Sequence, residues 1–312
     1  MNSILNKATL AKARLGTQAG GRPPAAIEIT PEGVLAAAIP SPGQPAVYAF
    51  EPLAAGALLA GIGEPNLRDP AAIAAAMKAA LDQVSPRTRS VTLIVPDTVV
   101  RVFVLDFDSL PAKPAEALPV LRFRLRKMVP FDVEHAGVSY QVLVDTKNEV
   151  RVLTAVLPGP ILAEYEQAVR EAGYEPGAVL PSSLAALEAT GDMQAVIVAN
   201  LNPWALTTTI SNGQDLLLYR TIDLPLDSAQ RLSEVQRGVA VAAAYYEDKL
   251  GARPERLHFA GSVEDGAAGF ARWLEDPDLN IVDLAPRPET GAVTSLGTAS
   301  VASVNGALAG VR

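Results

Sequence analysis

The chain has 312 residues, 49% of them hydrophobic and 19% charged, enough for about two domains with full cores and too apolar for disorder. It has no cysteine and a net charge of −8, which excludes disulfide frameworks, zinc–thiolate sites and a thiol nucleophile, and argues against broad electrostatic binding to nucleic acid. No run of about 18 apolar residues is present, and Lys7, Lys12 and Arg14 interrupt any signal-peptide core, so neither a transmembrane helix nor a leader is expected.

In chain order, Ile4, Ala8, Ala11 and Leu15 repeat at helical spacing and predict a short N-terminal helix over 2–15. Its basic residues beside an apolar stripe suit packing on its own domain, with an anionic bilayer as the alternative. Gly16 to Pro24 reads as a link. Strands are expected over Ala26–Ile29, Val34–Ile39 and Ala46–Phe50. Asp69-Pro70 opens a helix running to Gln83, with Ile73, Met77, Leu81 and Val84 inward.

Strands Val91–Val95 and Val99–Leu105 flank Pro96-Asp97. A helix follows with Leu118, Leu121, Leu125 and Met128 on its buried face and the cluster Arg122, Arg124, Arg126 and Lys127 beside it. It stops at Pro130-Phe131-Asp132. Gln141–Val144 and Val150–Val156 form a hairpin, and a helix from Pro160 ends at Gly173. Leu180–Asp192 is taken as a linker. Val196–Ala199, Leu206–Ser211 and Gln214–Tyr219 follow as strands, the last two around Asn212-Gly213. A long helix, Ser228–Leu250, strands Leu257–Ala260 and Asn280–Leu284, and a last helix over Ser295–Val311 complete the pattern. Mixed elements in two halves predict an α/β fold.

Signatures of familiar chemistry are absent: no P-loop, no G-x-G-x-x-G, no H-E-x-x-H and no G-x-S-x-G. His258 in its apolar strand reads as a core or edge histidine, and His135 as exposed. Asp106-Phe107-Asp108 has the spacing of a metal-binding D-x-D, but it reads better as a solvated strand end before Leu110-Pro111.

Val91–Val144 resembles the middle of the PilM-type proteins of type IV pilus assembly, members of the actin-like ATPase superfamily. Strand, "LP" loop, helix, "PF" and "Y-x-V" strand follow in the same order. Tyr165–Pro176, Tyr219–Ile222, Arg237–Tyr246 and Asn305–Arg312 resemble later segments of that family. The resemblance implies an actin-like (ribonuclease H-like) two-lobed α/β fold with an insert subdomain and a reduced fourth subdomain. It divides the chain into an N-terminal helix and linker (1–24), a first subdomain (25–98 with 285–312), an insert (99–185) and a second lobe (190–284), reduced around 221–233.

Actin-like proteins hold Mg-ATP with two D-x-G phosphate loops; glycine lets the backbone approach and the acid holds magnesium or its waters. Here Glu28 stands for the first acid, Thr30 for glycine, and Pro31 removes an N–H beside Glu32. In the second loop Asn200 replaces the acid, Asn202 the glycine, and Trp204 follows. The adenosine-side "GG" reads Ala260-Gly261-Ser262. ATP, magnesium and any other cofactor are therefore disfavoured, no catalytic residue is assigned, and a pseudo-ATPase is expected. An active ATPase using Glu28 is the alternative.

The resemblance further implies a cytoplasmic scaffold, peripheral at the inner membrane, among the pilus platform proteins. It would grip the N-terminal tail of a PilN-like inner-membrane protein between its first and insert subdomains, with Arg122, Arg126, Lys127 and Phe131 as contact residues. Such tails dock extended, through backbone hydrogen bonds and side-chain pockets. A type II secretion GspL-like protein is the other relative considered. That family carries a membrane span after this domain, and the sequence closes at Arg312 without one, which favours the pilus reading.

Overall fold

The structure, a computed structural model, describes residues 22–63, 65–146, 149–191, 193–213, 215–276 and 278–309. The N-terminal helix expected over 2–15 lies outside these residues.

Two five-stranded sheets carry the fold. The first contains β1 (Ala25–Ile29), β2 (Gly33–Ala38), β3 (Val47–Pro52), β4 (Ser90–Val95) and β8 (Glu175–Pro181), in the order β3-β2-β1-β4-β8. The second contains β9 (Val196–Leu201), β10 (Ala205–Asn212), β11 (Asp215–Asp223), β12 (Arg256–Phe259) and β13 (Asn280–Asp283), in the order β11-β10-β9-β12-β13. Each sheet has an antiparallel three-stranded meander followed by two parallel strands, so the lobes repeat one topology. β1 and β4 are buried almost throughout, and their near-continuous apolar runs follow from cover on both faces.

Helix α1 (Pro70–Val84) covers one face of the first sheet. Asp69 accepts the Ala72 N–H at 3.0 Å, and Ile73, Met77, Leu81 and Val84 are buried as their spacing requires. Helix α3 (Gly159–Glu171) lies beside it and stops where Gly173 takes φ 84°. Helix α5 (Ser228–Leu250) covers the second sheet, capped by Asp227 at one end and by Gly251 at φ 73° at the other. Helix α6 (Gly266–Leu274), which the glycine-rich sequence hides, packs beside it and stacks Phe270 on Phe259 at 4.4 Å between ring centres.

Between the lobes runs α4 (Ser182–Glu188), within the segment expected to be a linker. It is too short and too uniformly buried to show a helical period. The last helix, α7 (Ala302–Ala309), starts later than expected and returns to the first lobe, where Val304, Ala307 and Leu308 meet Ala26, Ile94 and Ala185. α4 and α7 meet at Gly306. A β-carbon there would lie 1.8 Å from the Ala185 carbonyl oxygen, inside any tolerable contact. Gly306→Ala is therefore expected to force the helices apart and cost about 3 kcal/mol, read from urea unfolding midpoints.

The insert consists of β5 (Arg101–Phe107), α2 (Pro114–Leu125), β6 (Gly137–Asp145) and β7 (Val150–Leu157), with the antiparallel order β5-β7-β6. Its core joins Leu105, Leu121, Leu125, Val129, Val138 and Val152. It is smaller than expected. β8 pairs with β4, and Ile161, Tyr165 and Val169 of α3 enter the core of the first lobe, so the insert ends at Leu157 and not at 185. Met128 is 39% exposed and does not join the buried face.

Candidate functional site

The two sheets bring the loops of the two lobes to one cleft. It is lined by Glu28, Thr30, Pro31 and Glu32 from the first lobe, and by Asn200, Asn202 and Gly261 from the second. All five cleft residues singled out in the sequence (Glu28, Thr30, Asn200, Asn202 and Gly261) are thus together.

Glu28 is 7% exposed on β1. The Ser182 hydroxyl of α4 donates to one of its oxygens at 2.7 Å, and the Ser303 hydroxyl of α7 donates to the other. Asp97, in the single helical turn after β4, is 1% exposed. It accepts the Ser183 N–H at 3.0 Å, the Ser183 hydroxyl, and the Tyr219 hydroxyl of β11 at 2.9 Å. Asn200 joins the two halves: its amide donates to Ser182 Oγ at 3.0 Å and to Ser183 Oγ at 3.1 Å. One buried network thus runs from β1 and α7, through α4 and β9, to Asp97 and β11. It ties the lobes together.

Burial sets the charge of both acids. Desolvation pushes Glu28 up to about 7; the Ser303 and Ser182 hydroxyls pull against it, and the Asp97 charge adds to it. Asp97 is raised for the same cause, opposed chiefly by Ser183. Burial also raises the Tyr219 phenol well above its usual value, which keeps it a donor.

The loop backbones are occupied as well. A phosphate cradle needs N–H groups aimed outward. Here the Thr30 N–H bonds the Gly33 carbonyl at 2.8 Å, closing the first loop on itself. In the second loop the Asn202 side chain accepts both the Trp204 and Ala205 N–H groups at 2.9 Å. Trp204 packs against the core of the first lobe. Gly261 is held by packing: a β-carbon there would stand 2.4 Å from the Leu201 carbonyl oxygen. Between β11 and α5 stands only the stretch Leu224 to Asp227, as the short spacing predicts, so no subdomain walls the adenosine side.

About 30 Å³ remains between the two loops, room for one or two waters, and the space opens beside them, toward Arg231 and Trp273, into a pocket of about 340 Å³. A nucleotide-sized ligand needs a pocket of roughly 300–1,000 Å³. Among the described residues no group of three acidic, histidine or cysteine side chains is placed to hold a metal. The two loops, their N–H groups bonded within their own turns, offer a magnesium-bound phosphate chain no cradle.

Asn200 shows the logic of the replacement. An aspartate there would bring a third carboxylate to Glu28 and Asp97 and remove the donor to both serines. Asn200→Asp, which restores the acid of the phosphate loop, is expected to destabilise the chain by about 2–4 kcal/mol, read from urea unfolding at pH 7.5. Unchanged stability would contradict the network.

The remaining candidates scatter. Arg122 turns inward and donates to the Val133 carbonyl and, at 3.0 Å, to that of Ala136, so it holds the α2–β6 loop and does not face a partner. Arg126 pairs with Glu134, Nε to Oε1 3.0 Å. Lys127 is exposed and Phe131 half-buried against the insert core. Asp106 pairs with Arg151 at 3.0 Å. His258 is half-buried on β12, its pKa lowered by burial and by Arg256; His135 is exposed.

No family model matches the chain, and no curated protein matches it. Solved structures do. A chain of the "PilM-PilN type IV pilus biogenesis complex" superposes with a TM-score of 0.72 at 19% identity, over 92% of this chain and 98% of that one. The cytoplasmic domain of EpsL, an inner membrane component of the type II secretion system of Vibrio cholerae, gives 0.51 at 12%, over 91% and 94%. A Bacteroides thetaiotaomicron protein with actin-like ATPase fold and unknown function gives 0.48 at 12%. The fold is actin-like, as the resemblance implied.

Proposed function

We propose that the chain is a scaffold component of a type IV pilus or related secretion machine, working on the cytoplasmic side of the inner membrane without hydrolysing ATP. The observation that carries the proposal is the extent of the likeness to a chain of a PilM–PilN type IV pilus biogenesis complex, which spans nearly all of both chains. The lower likeness to EpsL supports the broader class of machine.

On this reading the partner is the N-terminal tail of a PilN-like inner-membrane protein, held as an extended segment between the first subdomain and the insert. Two features support the pseudo-ATPase half of it: loop N–H groups bonded within their own turns, and an amide where an acid would hold magnesium. Helices long and apolar enough to cross a membrane are absent among the described residues, so membrane attachment through those residues would be peripheral.

A fluorescent peptide copying the cytoplasmic N-terminal tail of a PilN-like inner-membrane protein provides the test. Anisotropy should report saturable binding without nucleotide. Binding only with ATP present, or none, counts against the proposal.

A further inference from the structure

Helix α2 is apolar on two faces. Ala117, Leu121 and Leu125 point into the insert core. On the outer side Val120 and Phe123 stand one turn apart and are 37% and 67% exposed; Met128, 39% exposed, lies in the turn past the helix end. Among the described residues nothing covers this outer apolar pair. Arg124 and Lys127 stand on the same outer side, exposed and without ion-pair partners among the described residues, whereas neighbouring Arg126 is neutralised by Glu134. The result is an outer ridge of two apolar groups with two unpaired cations beside them.

We propose that this outer face of α2 docks on an anionic lipid bilayer, Phe123 entering the acyl boundary and Arg124 and Lys127 meeting headgroup phosphates. Charge complementarity selects this occupant. The chain as a whole carries −8, so an anionic surface repels most of it and accepts a face whose cations are unpaired. Shape agrees, because a ring exposed on an outer ridge inserts into a deformable surface, while long basic side chains reach back to the headgroups. The inference does not depend on tail binding, and its test contains no tail peptide.

Flotation of the full chain with phosphatidylglycerol-containing vesicles, against pure phosphatidylcholine, provides that test. Partition should favour the anionic vesicles and fade with salt. It should fall by at least about tenfold both in Phe123→Asp and in the Arg124→Glu, Lys127→Glu double variant. These side chains are exposed, so thermal unfolding of the variants should match the parent, which separates lost docking from lost folding. Failure to float with anionic vesicles overturns the proposal, as does equal partition onto neutral ones. Partition unchanged in both variants overturns it too, because the lipid contact then lies elsewhere in the chain.

Discussion

Replacing Asp97 with alanine is expected to destabilise the protein by about 3–5 kcal/mol. The change removes the acceptor of the Ser183 N–H, the Ser183 hydroxyl and the Tyr219 hydroxyl, in a region closed to water. Buried donors left without partners cost about 1–3 kcal/mol each, and the small cavity left by the carboxylate cannot rehydrate all three. Asp97→Asn keeps one carbonyl acceptor and should cost about 1–2 kcal/mol. Urea unfolding at pH 7 measures both. Equal, small effects would mean that Asp97 does not organise the seam between the lobes.

Glu28→Gln is expected to act in the opposite direction as pH rises. The folded chain holds a proton on Glu28 up to about pH 7, whereas the ordinary value is 4.5. Between those two values the folded state binds more protons than the unfolded state. The contribution of this group is therefore complete below pH 4.5 and is lost as pH rises to about 7. The full swing is about 3 kcal/mol. Glutamine is neutral at every pH and lacks this loss. Stability of the variant relative to the parent should thus climb by about 3 kcal/mol between roughly pH 4.5 and 8. Asp97 titrates in both proteins and largely cancels in the difference. Parallel pH profiles would show that Glu28 is ionised in the fold and that burial does not govern it.

The two-lobed fold was legible because its strands announce themselves. Val91–Val95 is apolar but for Thr92, Asn212-Gly213 marks a hairpin, and the helical steps of α1 place Ile73, Met77, Leu81 and Val84 inward as expected. What escaped the sequence was what tertiary burial alone specifies. α4 is short and buried on nearly all sides, so no period distinguishes it from a linker. β8 begins Glu175-Pro176-Gly177, a turn-like start, yet it becomes the fifth strand because β4 offers a parallel edge.

The site was half legible. Glu28 and Asn200 stood out as losses from a phosphate loop, but their present work did not. The partners of Glu28 are Ser182 and Ser303, and Asp97 meets Tyr219; nothing local connects residues so far apart. One signal was available: Asp97 is a lone acid just past a strand that is apolar but for Ser90 and Thr92, a position that predicts burial and hence a satisfied carboxylate. In the basic helix, side chains of one charge type do different work. Arg122 is spent on loop carbonyls, Arg126 on Glu134, while Arg124 and Lys127 remain at the surface.

The cleft therefore changes meaning. In the family the chain resembles, two loops close around a nucleotide; here two serines of α4, one of α7, an asparagine, a tyrosine and two acids fill the same seam with hydrogen bonds. Closure of the lobes then needs no ligand. Isothermal titration of Mg-ATP into the unmodified chain tests this most directly. The account predicts no saturable heat at micromolar nucleotide. A micromolar dissociation constant would contradict it, because the network would then have to open to admit the ligand.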